Sequence, residues 1–245
     1  ADDVAIVDEI GCDGNGIVCV GSENGVVNYS LEYDGDVDVL SGGSSYDYDK
    51  EDCYFRADDM NMYYHDGSKF EVYLEDAIYC NPLSNSEVIF SINGVNYTRI
   101  TDSQGYASLT INLDSGTYWM KMYFNGNDEY NPVMNLFKIT VKPTVYGEDI
   151  VKYYRNGTQY YSVFLNYHGE ALVNYSVNFN INGVIYTKIT NSTGWATLAI
   201  NLQPGIYIIT ASNIYTGETH GNKITVLSTT VSYTHLRAHE TVLDL

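Results

Sequence analysis

Residues 92–118, INGVNYTRITDSQGYASLTINLDSGTY, return as residues 181–207, INGVIYTKITNSTGWATLAINLQPGIY. At a constant offset of 89 residues the two stretches share 17 identical positions and differ at 10, without a gap. Such a period exceeds the roughly 20 to 50 residues of a solenoid unit and approaches the roughly 100 of a two-sheet sandwich. Each copy carries its own folding instructions. Val88, Phe90 and Ile92 alternate with Ile89 and Ser91, Asn93-Gly94 follows, and alternation resumes from Val95. An Asn-Gly pair between alternating runs predicts a tight hairpin, since both residues accept the positive φ of a type I′ turn. Asn182-Gly183 repeats the signal.

Beyond Gly105, Ala107, Leu109, Ile111 and Leu113 fall on one face of a strand, and Ala196, Leu198, Ile200 and Leu202 repeat that face. The strand ends in Leu113-x-x-Gly116-x-Tyr118, matched by Leu202-x-x-Gly205-x-Tyr207. This spacing has the shape of a tyrosine corner, in which the Tyr118 or Tyr207 hydroxyl reaches back to the upstream backbone. The run from Val95 has no clear polarity, because Tyr97 and Ile100 would point to opposite faces.

Twelve basic against 31 acidic residues give a net charge of −19, which disfavours nucleic acid and anionic lipid as partners. No run of 18 apolar residues exists to cross a membrane as a helix. Hydrophobic residues form 44% of the 245-residue chain, enough for real cores. The start at Ala1 fits a mature exported protein or an excised fragment. Cys12, Cys19, Cys53 and Cys80 match no CxxC metal spacing and leave three pairings open, with buried free thiols as the other reading.

Residues 1–52 lie outside the repeat and read as an acidic, partly ordered β leader, with short runs at 4–7, 17–20 and 26–33. Asp34-Gly-Asp36-Val-Asp38 resembles a calcium loop superficially, but Val39 and Ser45 stand where an EF-hand needs Gly and Glu. The first unit spans 53–143 and the second 144–230. Asp59 to Phe70 resembles Asp149 to Tyr160 at an offset of 90, so a one-residue insertion is expected near Asn81-Pro82-Leu83 or His168-Gly169-Glu170. Each unit closes on Lys-Ile-Thr-Val, at 138–141 and 223–226. Short strands, Gly, Asn and Asp turns and no amphipathic helix predict an all-β protein of two tandem Ig-like β-sandwiches. The tail from Ser232 abandons this vocabulary, and residues 231–245, containing SYTHLRAHET, resemble a translated sequencing-adapter peptide.

Catalytic signatures are missing. No GxSxG, P-loop or GxGxxG occurs, and His65, His168 and His220 have no partner spacing. Neither catalytic residues nor a cofactor or metal is predicted. Asn28, Asn96, Asn156, Asn174 and Asn191 open Asn-x-Ser/Thr triplets, permitting N-glycosylation in an exported protein. Twenty-five tyrosines supply strand filler and sugar-stacking surface alike. Tyr123, Phe124 and Tyr130, placed in a variable loop of the first unit, are candidate ligand contacts.

VKYYRNGTQYYSVFL, the shared NGVxYTxxTxxxGxAxLxINLxxGxY and the closing KITV resemble Ig-like repeats of adhesin-like surface proteins in methanogenic archaea, similar in style to bacterial invasin-type Ig-like domains. The resemblance covers about Asp59 to Thr230. It implies an extracellular protein at the cell surface, without enzymatic activity, whose sandwiches act as stalk and display modules toward other cell surfaces, glycans or surface proteins. It supplies no ligand residues. A carbohydrate-binding module and the accessory domains of a larger secreted enzyme are the competing expectations.

Overall fold

The computed structural model describes residues 47 and 49–229 in full and the backbone of three strands upstream of them. These are β1 (Val18–Glu23), β2 (Val26–Tyr33) and β3 (Asp36–Leu40), an antiparallel sheet in the order β1-β2-β3. The expected strand at 4–7, the side chains of the calcium-like stretch and the tail lie outside the described residues. All regular structure among the described residues is β, and the chain divides into two compact units, Ala1–Lys142 and Pro143–Leu245.

Unit 1 contains β4 (Cys53–Arg56), β5 (Met60–Tyr63), β6 (Lys69–Asp76), β7 (Glu87–Ile92), β8 (Val95–Ile100), β9 (Tyr106–Thr110), β10 (Gly116–Phe124) and β11 (Val133–Lys142). They form a five-stranded sheet, β5-β11-β10-β7-β8, and a three-stranded one, β4-β6-β9. Unit 2 repeats the plan with β12 (Val145–Gly147), β13 (Ile150–Tyr153), β14 (Gln159–Phe164), β15 (Ser176–Ile181), β16 (Val184–Ile189), β17 (Trp195–Ala199), β18 (Gly205–Ser212) and β19 (Thr219–Leu227). Its sheets are β13-β19-β18-β15-β16 and β12-β14-β17. Pairing is antiparallel except for β5 with β11 and β13 with β19, which run parallel. Both units are β-sandwiches with one strand order.

The predicted hairpins join β7 to β8 and β15 to β16, with φ of 51° and 76° at Asn93 and Gly94, and 53° and 78° at Asn182 and Gly183. Positive φ at both central residues is the type I′ turn that suits the twist of paired strands. Alternation then sorts the side chains. Val88, Phe90 and Ile92 enter the core of unit 1 with Met120, Met122 and Ile139; Val177, Phe179 and Ile181 enter that of unit 2 with Ile209 and Ile224. Each such side chain contributes about 1.5–3 kcal/mol on burial.

The one-residue slip falls between β6 and β7. Asp76 N donates to Asn81 O around four loop residues, whereas Asn166 N donates to Glu170 O around three. Upstream of β4, Asp47 and Lys50 to Asp52 are fastened to the loop that follows β10. Asn131 Nδ2 donates to Asp47 O, Lys50 O and Asp52 Oδ1, and Asn131 N donates to Glu51 O.

The ambiguous polarity of the run from Val95 has a physical reason. The small sheet ends at β9, so β8 overhangs it and is exposed on both faces; β16 does the same beyond β17. With no facing sheet, alternation has nothing to bury.

Candidate functional site

Tyr118 and Tyr207 take equivalent positions on β10 and β18. Tyr118 Oη donates to Asp114 O at 2.9 Å and Tyr207 Oη to Gln203 O at 3.0 Å. A side chain at Gly116 or Gly205 would press on these rings, with Cβ 3.4 and 3.2 Å from the respective hydroxyl oxygens.

The three aromatics proposed as ligand contacts do not form a surface cluster. Tyr123 and Phe124 are strand residues of β10, opposite Met134 and Val133, and Phe124 closes the buried row begun by Met120 and Met122. Tyr130 lies in the following loop and packs its ring on the same core. The alternation Met-x-Met-x-Phe carried the signal for burial; the loop begins only after Phe124.

Of the glycosylation triplets, Asn96 is exposed on β8, and Asn156, Asn174 and Asn191 are exposed in turns. Asn191 Oδ1 also accepts from Thr193 N and Trp195 N at 2.9 and 3.0 Å. Asn28 lies on β2. Cys53 is buried, its Sγ 3.4 Å from Asn131 O, and burial together with the Asp52 charge pushes its thiol up to about 12. Cys80 is exposed, and both thiols are free; the side chain of Cys12 and that of Cys19 lie outside the described residues.

The structure assembles a polar-aromatic patch that sequence reading missed. On the outer face of β4-β6-β9, the buried carboxylate of Glu75 is ion-paired with Arg56. Arg56 also donates to Tyr54 Oη at 3.2 Å, and its guanidinium lies 5.8 Å from that ring. Tyr54 Oη meets Cys80 Sγ at 3.5 Å, Tyr73 Oη donates to Cys80 O at 3.4 Å, and the Tyr73 and Tyr106 rings are 4.9 Å apart. The hydrogen bond with Cys80, then that with Glu75, pushes the Tyr54 phenol up to about 12.

Asp76 shapes the loop above this patch. Its carboxylate accepts from Ile78, Tyr79 and Asn81 amides at 3.0, 2.5 and 2.8 Å, which holds its proton affinity below the ordinary value, the Tyr79 amide contributing most. The fixed loop presents Ile78 and Tyr79, 63% and 74% exposed. Unit 2 lacks this constellation: Thr144, Tyr146, Val163 and Leu165 occupy the ladder positions of Tyr54, Arg56, Tyr73 and Glu75. Sequence reading missed it because the patch joins residues across β4, β6 and β9 through pairings that no local pattern encodes.

A cleft of about 240 Å³ opens where β8 overhangs β9, lined by Tyr97, Arg99, Leu109, Ile111 and Leu113 among others. Among the described residues no group of three His, Cys, Asp or Glu side chains is arranged to hold a metal, and no helix is long and apolar enough to cross a membrane.

No protein-family model matches the chain, and no curated protein matches it either. Solved structures do. The fibronectin(III)-like modules of Clostridium thermocellum CbhA align over 76% of this chain and 99% of theirs at 14% identity and a TM-score of 0.28. The D0-D1 domain of intimin aligns over 71% and 97% at 16% identity, TM-score 0.30. The Yersinia pseudotuberculosis adhesin InvE aligns over 71% of this chain and 58% of its own, also at 16%, TM-score 0.31. Superpositions this loose decide neither function nor partner. The sandwich architecture stands on the strand pairings themselves.

Proposed function

We propose that this chain is a segment of an exported, adhesin-like surface protein whose tandem Ig-like sandwiches serve as stalk and display modules for attachment, not as an enzyme. The observation that carries this reading is the duplication of one complete strand order, with only Pro143 and Thr144 between β11 and β12. Duplicated sandwiches with a short connection bear load through interstrand hydrogen bonds, and the charge of −19 keeps neighbouring chains apart in solution. In this role Asn96, Asn156, Asn174 and Asn191 are surface sites open to glycosylation. Pulling the chain from its ends by atomic force microscopy tests the role. Two successive unfolding events of similar contour length are expected, and a chain that extends without resistance contradicts it.

A second reading, a glycan-binding surface, is favoured by the patch on unit 1. Exposed Tyr79 and Tyr106 flank the Arg56–Glu75 pair, and flat aromatic faces beside fixed polar groups suit the apolar faces and hydroxyls of a sugar. This replaces the cluster of Tyr123, Phe124 and Tyr130. Glycan-array binding that disappears in Tyr79→Ala or Tyr106→Ala supports it, and binding indifferent to both removes it.

A further inference from the structure

The edge strands β8 and β16 carry the same pattern: Val95, Tyr97, Thr98 and Ile100 return as Val184, Tyr186, Thr187 and Ile189. Of the eight positions lining the cleft in unit 1, six are identical in unit 2: Ile92, Tyr97, Leu109, Ile111, Asn112 and Leu113 return as Ile181, Tyr186, Leu198, Ile200, Asn201 and Leu202. Arg99 becomes Lys188, keeping its charge, and only Thr110 becomes a different kind of residue, Ala199. The core is copied in large part, Val88, Phe90, Ile92, Leu109 and Ile111 returning as Val177, Phe179, Ile181, Leu198 and Ile200, whereas Phe70, Val72 and Phe137 correspond to Tyr160, Ser162 and Asn222.

β16 is also a sheet edge without proline, on which Lys188 is the one charge. Native edges are covered, kinked, shortened, or guarded by charge or proline. Val184, Ile185, Tyr186 and Ile189 are 50%, 62%, 38% and 58% exposed, and no acidic residue interrupts the strand. In a two-residue hairpin the closing pair, Ile181 and Val184, exchanges hydrogen bonds, so every second residue turns its N–H and C=O outward. Ile185, Thr187 and Ile189 therefore present a row of free backbone groups. The equivalent row on β8 is guarded: Arg99 Nη1 donates to Thr98 O at 2.7 Å, and Asn96, a glycosylation triplet, stands where β16 has Ile185. Neither Arg99 nor Lys188 has a carboxylate partner among the described residues.

We propose that β16 is a docking edge that captures an extended polypeptide segment from a partner protein as a sixth strand of the sheet. The segment alternates, with apolar side chains facing inward beside Val184 and Tyr186 and a carboxylate opposite Lys188. Backbone pairing supplies the affinity and the inward row the selectivity. A second copy of this chain fits less well. Its own β16 brings Lys188 no carboxylate, and each copy carries −19. The inference adds a contact surface to the proposed stalk without depending on it, because the pulling experiment reads the sandwiches and not this edge.

The test uses the full chain, isotope-labelled, titrated with the acetylated and amidated peptide Thr-Val-Thr-Val-Thr-Glu-Thr to about 1 mM. Amide signals of Ile185, Thr187 and Ile189 are expected to shift and gain exchange protection. Lys188→Glu should weaken binding about fivefold, the strength of a good surface ion pair. The same peptide with Lys in place of Glu should restore it. Ile185→Pro removes an outward N–H while sparing the ladder to β15, and should abolish binding with the thermal midpoint unchanged. No shift at about 1 mM, or shifts that survive Ile185→Pro, overturns the proposal. So does a concentration-dependent dimer that Ile185→Pro dissolves, which would assign the edge to self-association.

Discussion

Units 1 and 2 solve one corner of the sandwich in opposite ways. In unit 1, Phe70 and Phe137 pack at 5.4 Å, with Phe70 edge-on to Phe90 at 6.3 Å, around buried Val72 and Met62. In unit 2 the same ladder positions hold Tyr160, Asn222, Ser162 and Lys152. Tyr160 Oη donates to Asn222 Oδ1 and accepts from Ser162 Oγ, both at 2.7 Å, and Asn222 Nδ2 donates to Gly147 O at 3.2 Å. Lys152 Nζ donates to the carbonyls of Asn156, Thr158 and Ile200 at 3.0, 3.0 and 2.6 Å. The strand order survives because every buried polar group in the exchange found a partner. Turn chemistry and alternation thus set the topology here, while the identity of the core is negotiable so long as it is apolar or fully hydrogen-bonded.

The largest effects should be equal in the two units. Phe90 and Phe179 are fully buried at equivalent positions, so Phe90→Ala and Phe179→Ala should each cost their own unit about 3–5 kcal/mol in chemical denaturation. Unequal losses would break the equivalence.

Opposite substitutions at the corner should cost the two units alike. Tyr160→Phe strands Asn222 Oδ1 and should destabilise unit 2 by about 1–3 kcal/mol; Phe70→Tyr buries a hydroxyl without a partner and should cost unit 1 a similar amount. Changing Tyr160, Ser162 and Asn222 together to the Phe, Val and Phe of unit 1 should bring the loss below about 1.5 kcal/mol, since volume and satisfaction are restored together. A triple variant worse than Tyr160→Phe alone would show that the corners are not interchangeable.

Smaller again are the corner tyrosines. Tyr118→Phe and Tyr207→Phe each remove one hydrogen bond to an upstream carbonyl and should cost about 0.5–1.5 kcal/mol.

The smallest effect distinguishes the loops after β6 and β14. Asp76 and Asn166 do the same work, Asn166 Oδ1 accepting from His168 and Glu170 amides at 2.9 and 3.0 Å, but only Asp76 titrates. Because folding lowers the Asp76 proton affinity, its contribution is complete above the ordinary value of 3.8 and is lost as the pH falls through and below that range. Exchange protection of the Ile78, Tyr79 and Asn81 amides should fall in acid while that of the His168 and Glu170 amides, held by the Asn166 amide oxygen, persists. Joint loss of protection would mean a global transition.

Sequence and structure agree where the information is local. The hairpins at Asn93-Gly94 and Asn182-Gly183 and the inward rows of β7 and β9 follow from φ and from a period of two residues. Partners distant in the chain were not legible. Nothing local says that Met60–Tyr63 runs parallel to β11, or that Arg56 reaches Glu75. Thr101 and Thr190, identical but unremarked in the sequence, are buried because each hydroxyl donates to a carbonyl, Leu83 O or Leu172 O, across the next loop. The misplacement of Phe124 came from ending β10 too early. Along β8 the sequence shows no clear polarity, and the reason is that no second sheet faces that strand.

The account rests on two copies of one strand order, and the parallel pairs test it most directly because no hairpin enforces them. Interstrand nuclear Overhauser contacts should join Met62 to Val141 in unit 1 and Lys152 to Val226 in unit 2. Both pairs present is the predicted result. One pair present and the other replaced by a different neighbour would contradict the duplication of the fold.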